Sequence, residues 1–296
     1  MNKIVITTGD PNGIGAEITI KALNKLNLSA ENFCLISNQN ILNYYGKLNK
    51  KYEIIEIPYN KKDIQPGKIT KEAGEFAFQC IKQACELKPL AIVTAPTAKN
   101  AMYLAGHKFN GQTEILQKYL AHDNQLAEML FIAGGFRVLL LTRHVPLKNI
   151  TLSKELVVEK ILNLHIFFEN KLNIKNPKFA LCGFNPHAGE NGILGQEEID
   201  ILIPAVNELR KHNISITNPL PADTLFARAL DYDCCIANYH DQGLIPIKTV
   251  AGNKTVNMTI GLDIIRTSPG HGTAFDIAAQ NIADETGMIE AIKAVL

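Results

Sequence analysis

Net charge is almost absent from this chain: 30 lysines and arginines stand against 29 aspartates and glutamates, leaving +1 at neutral pH. General nucleic-acid and membrane-surface binding both need a clustered field of Lys and Arg, so neither is expected, and any phosphate recognised is a small one. No C-x-x-C pair occurs among the 6 cysteines, Cys34, Cys80, Cys85, Cys182, Cys234 and Cys235. They lie in apolar runs, where a free thiol behaves as a small hydrophobe, and a reduced cytoplasmic setting is expected. No apolar run approaches the roughly 20 residues of a spanning helix, and the start "MNKIVITTGD" is too short a run for a signal peptide. The expectation is a protein neither secreted nor membrane-embedded. Repeats, low-complexity tracts and long linkers are also missing. The composition, 46% apolar and 20% charged over 296 residues, is that of an ordinary globular protein. At roughly 150 residues per domain the length suggests one large domain or two, with two favoured, and a division without a linker would mean that the chain crosses between domains more than once.

What is present is a recurrent alternation. The β-branched runs "KIVITT", "NFCLIS", "YEIIEI", "LAIVTAP", "AEMLFIAG", "FRVLLLT", "KFALCGFN" and "DCCIANY" read as buried strands bounded by Gly, Pro, Asn or polar residues. Between them lie helical patterns, clearest over 71–88, where Ala73, Phe76, Ala77, Cys80, Ile81, Ala84 and Cys85 mark one apolar face. "SKELVVEKILNLHIFFEN" and "EEIDILIPAVNELRKHN" are similar, with a kink expected at Pro204. "NKKDIQPGKIT" reads as a solvated loop. Alternating strands and helices predict an α/β architecture with a largely parallel sheet, whose ligands sit at the carboxyl ends of the strands.

Polar chemistry concentrates at those strand ends. "TTGDPNGIGAEI" follows the first strand; Gly9, Gly13 and Gly15 allow close backbone approach, but the stretch has neither the Lys-Ser/Thr of a P-loop nor a complete G-x-G-x-x-G. A tight strand-to-helix turn capped by Asp10 or Asn12 accounts for it equally well. "FNGQTEIL" opens a helix whose free amides suit an anion, with Thr113 as a plain capping residue the alternative. "LLLTRHVPL", "CGFNPHAGENG" and "NYHDQGLIPIK" each place a histidine, His144, His187 or His240, in a polar turn after an apolar strand. Three histidines are the ligand count of a catalytic divalent site that keeps a position open for substrate, although each alone also fits a hydrogen-bonded turn. Arg266 emerges from an apolar segment, where a guanidinium suits a phosphate or carboxylate; a structural salt bridge is the alternative. "GHGTAFDIA" supplies glycines and a helix start suited to a nucleotide.

Taken in order, "GDPNGIGAEI", "GQTE", "HVPL", "NPHAGENG", "PADTLF", "YHDQGL", "IRTS" and "HGTA" resemble the 4-hydroxythreonine-4-phosphate dehydrogenase family of pyridoxal phosphate biosynthesis, almost end to end. The resemblance implies a two-domain α/β/α subunit related to the isocitrate and isopropylmalate dehydrogenases, with the active site in the interdomain cleft. The expected division is 1–122 with 265–296 as one α/β domain, and 123–264 as the second, carrying metal ligands and the dimer interface. It implies a homodimer whose subunits both furnish metal ligands, with His144, His187 and His240 holding zinc or another divalent ion such as magnesium, cobalt or manganese. Gln112, Thr113, Lys248, Asn257 and Arg266 match substrate-contacting positions; Asp241, Asp223 and Lys248 are the catalytic candidates; His271, Gly272 and Thr273 are the candidates for binding NAD or NADP.

The activity implied is oxidation of 4-phosphooxy-L-threonine to a β-keto acid that decarboxylates to 3-amino-2-oxopropyl phosphate. Two alternatives stay open: a dehydrogenase of 4-phospho-D-threonate or 4-phospho-D-erythronate, or an inactive metal-binding homologue. Two departures from the family pattern feed them. Gln112 stands where the family usually has His, and Gly270 where it usually has Asp. Glutamine keeps a hydrogen bond but carries no positive charge.

Overall fold

The computed structural model describes residues 1–122 and 125–296. Along the chain come β1 (Ile4–Thr7), α1 (Gly15–Leu26), β2 (Phe33–Ser37), α2 (Gln39–Tyr45), β3 (Glu53–Glu56), α3 (Lys71–Glu86), β4 (Ala91–Thr94), α4 (Lys99–Leu104) and α5 (Gln112–Leu120). There follow β5 (Glu128–Ala133), β6 (Phe136–Leu140), α6 (Lys154–Lys171), β7 (Lys178–Leu181), α7 (Ile203–Lys211), β8 (Ser215–Ile216), α8 (Ala222–Phe226), β9 (Cys234–Ala237) and α9 (His240–Ala251). The chain ends with β10 (Val256–Ile260), β11 (Ile265–Pro269) and α10 (Thr286–Lys293). They form two compact units, Met1–Ala127 with Asn253–Leu296, and Glu128–Gly252.

In the first unit the strands run β3-β2-β1-β4-β11-β10, parallel except for the antiparallel pair β10–β11. Successive side chains of a strand point to opposite faces, and both faces here are apolar. Val5, Cys34, Ile36 and Ile92 join Phe76, Ile81, Met102 and Ile115 of α3, α4 and α5 in one core. Ile4, Ile6, Phe33, Leu35 and Val93 join Ile18 and Leu23 of α1 and Met288 and Ile292 of α10 in another. Sheet strands covered on both sides explain why β1, β2 and β4 read as unbroken apolar runs. Each fully buried Ile, Leu or Phe contributes about 1.5–3 kcal/mol by leaving water. α3 starts where the sequence predicts, with the Thr70 hydroxyl accepting from the Ala73 N–H at 3.2 Å.

The second unit has the order β5-β6-β9-β7-β8, with β5–β6 antiparallel and the other pairs parallel. Val138, Leu140, Ala180, Cys182, Cys235 and Ala237 share a core with Leu225 of α8 and Leu244 and Ile247 of α9. The alternate residues Leu139, Phe179, Leu181 and Cys234 are buried on the opposite face. There Phe168 of α6 meets Phe179 edge-on at 5.5 Å. At Pro204 the expected kink takes the form of a π-turn over Glu198–Leu202, from which α7 emerges. A wider turn accommodates the hydrogen bond that proline cannot donate.

The expected boundary at 122/123 falls beside Asp123 and Asn124, outside the described residues. The segment 253–264, expected with the second domain, belongs to the first unit because β10 is held by β11, with Asn257 opposite Ser268 and Thr259 opposite Arg266. All 6 cysteines are buried and unpaired. Burial pushes the Cys34 thiol up to about 11 and those of Cys85 and Cys235 to about 12, so none is a thiolate nucleophile near neutral pH. Among the described residues no helix is long and apolar enough to cross a membrane.

Candidate active site

Arg266 sits on β11 with 3% of its surface exposed. Its Nε–H donates to Thr94 Oγ1 at 2.9 Å, Nη2 donates to Thr94 Oγ1 at 2.6 Å and to Gln112 Oε1 at 2.7 Å, and Nη1 donates to Thr259 Oγ1 at 3.4 Å. Every one of these partners is neutral. The alternative of a structural salt bridge is therefore not what the structure shows: among the described residues no carboxylate pairs with this guanidinium, though Glu114 contributes a favourable field. Burial lowers it to about 9, which leaves it charged at neutral pH. Of the five N–H donors of a guanidinium, four are used here and one on Nη1 remains. A desolvated cation held by neutral groups is expensive alone and well suited to an anionic ligand.

The neighbours extend that surface. Thr259 opposes Arg266 in the β10–β11 register, so Asn257, two residues along, points to the same face. Asn257 Oδ1 is buried without a hydrogen-bond partner among the described residues. Gln112 opens α5 after Gly111 and donates to Ala95 O at 3.2 Å and Thr97 Oγ1 at 3.0 Å. Both ends of its amide are thus committed, one to Arg266 and one to the loop after β4. Thr113 is buried in the first turn but does not cap it, since the cap position belongs to Gly111.

The expected cofactor segment meets the glycine-rich turn. Ile14 N–H donates to Thr273 O at 3.0 Å, and a Cβ on Gly13 would stand 2.8 Å from that same oxygen, so only glycine admits this approach. His271 donates from Nδ1 to Gly272 O at 3.1 Å and packs beside Gly287 at the start of α10. Neither Asp10 nor Asn12 caps α1, whose cap position is Ile14 without a side-chain bond. Gly270 has a structural reason: a Cβ there would lie 2.7 Å from Thr255 O, to which its own N–H donates at 2.9 Å. Gly270→Asp is expected to destabilise the chain by about 1–3 kcal/mol through overpacking, lowering the urea midpoint at unchanged slope. An unchanged midpoint would remove this account of the glycine.

In the second unit, His144 and His240 have ring centroids 5.6 Å apart. His240 Nδ1 lies 2.6 Å from Asp241 Oδ1. A carboxylate only accepts, so the proton is on Nδ1 and Nε2 keeps its lone pair for a metal. His187 stands in a run of five left-handed residues, His187 to Asn191, and lines a cavity of about 280 Å³ with Asn185, Asp223, Tyr239 and Gln242. Lys248 is exposed on α9, eight residues beyond His240. Among the described residues no group of three His, Cys, Asp or Glu side chains is arranged to hold a metal ion. The donor set of one chain therefore fits a divalent ion only in part, with two imidazoles together.

Several positioning residues escaped the sequence reading. Asn238 O accepts from Thr142 N–H at 3.1 Å and from Thr142 Oγ1 at 2.7 Å, while Asn238 Nδ2 donates to Cys182 O at 2.9 Å. Gln242 accepts from Asn238 N–H at 2.7 Å and donates to Gly183 O at 2.7 Å. These amides tie together the ends of β6, β7 and β9, the strands that precede the three histidines. Glu198 accepts from Asn185 N–H at 2.8 Å, and Asn185 Nδ2 donates to Glu197 at 2.6 Å, fixing the loop that carries His187. The signal was an Asn and a Gln flanking His240 by two residues.

Comparison with known proteins shows the family and the fold. The family model described as "Pyridoxal phosphate biosynthetic protein PdxA" matches residues 2–295. The 4-hydroxythreonine-4-phosphate dehydrogenase of Sulfurihydrogenibium sp. is 38% identical, over 99% of this chain and 97% of the relative. The D-threonate 4-phosphate dehydrogenase of Salmonella typhimurium is 36% identical, over 98% and 97%. The crystal structure of the 4-hydroxythreonine-4-phosphate dehydrogenase of Klebsiella pneumoniae superposes with a TM-score of 0.89 at 34% identity, over 99% of this chain and 97% of that one. An isocitrate dehydrogenase from Methylococcus capsulatus, at 14% identity and a TM-score of 0.54, shares the fold. With one family model spanning nearly the whole sequence and relatives matched over almost their full length, this chain belongs to the PdxA family of pyridoxal phosphate biosynthetic proteins.

Proposed function

We propose that the chain is a metal-dependent NAD(P)-linked dehydrogenase that oxidises 4-phosphooxy-L-threonine. The observation that carries this reading is Arg266: a buried guanidinium with only neutral partners and one spare donor, in a chain whose relatives act on small phosphorylated hydroxy acids by name. In the reaction the secondary alcohol loses its proton and a hydride, leaving a β-keto acid. Its C–C bond to the carboxylate then breaks, carbon dioxide leaves, and a proton returns to C2 to give 3-amino-2-oxopropyl phosphate.

Arg266, Thr113, Asn257 and Lys248 hold the anionic ends and exclude substrates that lack them. Asp241 accepts from His240 and so orients that imidazole, while Asp223, lining the cavity with His187, is assigned to proton transfer. His271, Gly272 and Thr273 hold the nicotinamide dinucleotide. A divalent ion, zinc by its ligand type, would be held by His144, His187 and His240 and would acidify the alcohol and polarise the ketone. Because one chain brings only two of these imidazoles together, the reading includes a homodimer whose two subunits share the ligand set.

A second reading is favoured by Gln112. Its amide is neutral and tied to Arg266, which suits an acid without an amino group, and relatives named D-threonate 4-phosphate dehydrogenase match as closely as those named for the amino acid. Purified protein is expected to form NADH or NADPH fastest with 4-phosphooxy-L-threonine, in a chelator-sensitive manner. Faster turnover of 4-phospho-D-threonate or 4-phospho-D-erythronate would move it to the second reading, and no turnover of any of the three would reject both.

A further inference from the structure

Asp10 is fully buried, yet its Oδ2 has no hydrogen-bond partner among the described residues. Oδ1 accepts from Asn12 N–H at 2.9 Å, closing a tight turn, and the Asp10 N–H donates to Pro96 O at 3.0 Å. That turn fixes Asn12, which is a clamp. Asn12 Oδ1 accepts from Gln65 N–H at 2.7 Å, Nδ2 donates to Lys68 O at 3.0 Å and to Thr70 Oγ1 at 3.2 Å, and its carbonyl accepts from Gly67 N–H at 2.8 Å. Thr70 is in turn the cap of α3. On its other side the same turn seats residues 273–275, through Ile14 to Thr273 O and through Gly67, whose Cβ position lies 3.0 Å from Phe275 O.

We propose that Asp10 is a positioning residue for the nicotinamide dinucleotide: its buried carboxylate fixes the 10–15 turn, and that turn holds the 65–70 and 271–275 segments in their binding geometry. This rests on the reading of His271, Gly272 and Thr273 as the cofactor segment. A buried charge without a counter-ion is costly, and such groups persist where function requires them.

Electrostatics supports the assignment. Burial raises Asp10 to about 6, opposed by the backbone N–H groups of Asn12 and Ala98, and no basic side chain contributes. The titratable groups facing it are Tyr45 of α2 and Tyr59 ahead of α3, both held neutral by burial, with Glu17 of α1 behind the first and Asp63 and Glu72 behind the second. The sign follows. The folded value lies above the unfolded 3.8, so the group's cost to stability grows as pH rises from about 4 to 6 and is full above 6. The same linkage governs the turn by itself: opening it returns the carboxyl toward 3.8, so ionisation favours opening and the turn is firmest below 6.

Hydrogen exchange of residues 65–70 and 271–281, corrected for the intrinsic effect of pH and read from pH 5 to 8, tests this. Wild type is expected to lose protection at least ~3-fold as pH rises from 5, levelling off above about 6, and Asp10→Asn, which keeps the acceptor and removes the charge, should show no such pH course. Affinity for NAD or NADP should fall over the same pH range. Thermal melts should show Asp10→Asn more stable than wild type at pH 8 and equal to it at pH 4. The same pH course in both proteins, or none in wild type, overturns the proposal. If Asp10→Asn does not fold, Asn12→Ala replaces it and must loosen the two segments together. Wild type that binds neither dinucleotide would refute the cofactor reading, while the exchange data still decide the role of Asp10 in holding the loops.

Discussion

Arg266→Met is expected to lower kcat/KM for the phosphorylated substrate by roughly 10²–10³-fold, equivalent to about 2.7–4 kcal/mol of transition-state binding. The fold should survive. Methionine fills most of the same volume, and the substitution removes a buried charge whose hydrogen-bond partners are all neutral. Against that gain, Thr94 Oγ1 and Gln112 Oε1 lose their donor, so the net change in stability should be small while the loss in activity is large. Arg266→Lys separates charge from geometry. A lysine keeps the positive charge but not the fork that spans Thr94 and Gln112, so it should recover only part of the loss, mainly in KM. Steady-state kinetics of the two variants beside urea denaturation checks both halves. A kcat/KM for Arg266→Met within threefold of wild type would show that the buried guanidinium is structural.

The period of the sequence made the scaffold readable. Eight apolar runs became β1 to β7 and β9, most because strands covered on both faces leave continuous Val, Ile, Leu and Cys. β3, expected to be buried, is instead the edge strand, with Glu53 and Glu56 exposed and Ile54 and Ile55 half-buried. β10 and β11 were not foreseen as strands, and the reason is chemical: Asn257, Thr259, Arg266 and Ser268 put polar side chains where a buried strand should have apolar ones. Polar residues break the pattern where they build a ligand surface. Arg266 itself was legible as a charge in an apolar segment. Its partners were not, since Thr94 and Gln112 lie 172 and 154 residues away and meet it only through strand order. The same holds in the second unit. That histidines stand at repeated strand ends was readable, but spacing alone did not show that His144 and His240 would approach one another, nor that Asn238 and Gln242 would lace those strand ends together.

The three histidines give the other large effect. His187→Ala and His240→Ala should each lose roughly 10³-fold or more in metal-dependent turnover, because a catalytic divalent site with one of three protein ligands removed neither holds the ion nor orients the substrate on it. Their combination is more informative than either alone. If one site draws His187 and His240 from different subunits, unfolding and refolding an equal mixture of the two inactive proteins gives half heterodimers. Each heterodimer then has one site carrying both substitutions and one carrying neither, so the mixture should regain about a quarter of wild-type activity. If all three ligands came from one subunit, each heterodimer would carry one defect in each site and the mixture would stay inactive. The separation seen within one chain, two imidazoles at 5.6 Å and His187 in a cavity with Asp223, favours recovery. Bound metal, counted by elemental analysis on the same mixture, should recover with the activity. Full activity in His187→Ala alone would dismiss the metal assignment for that residue.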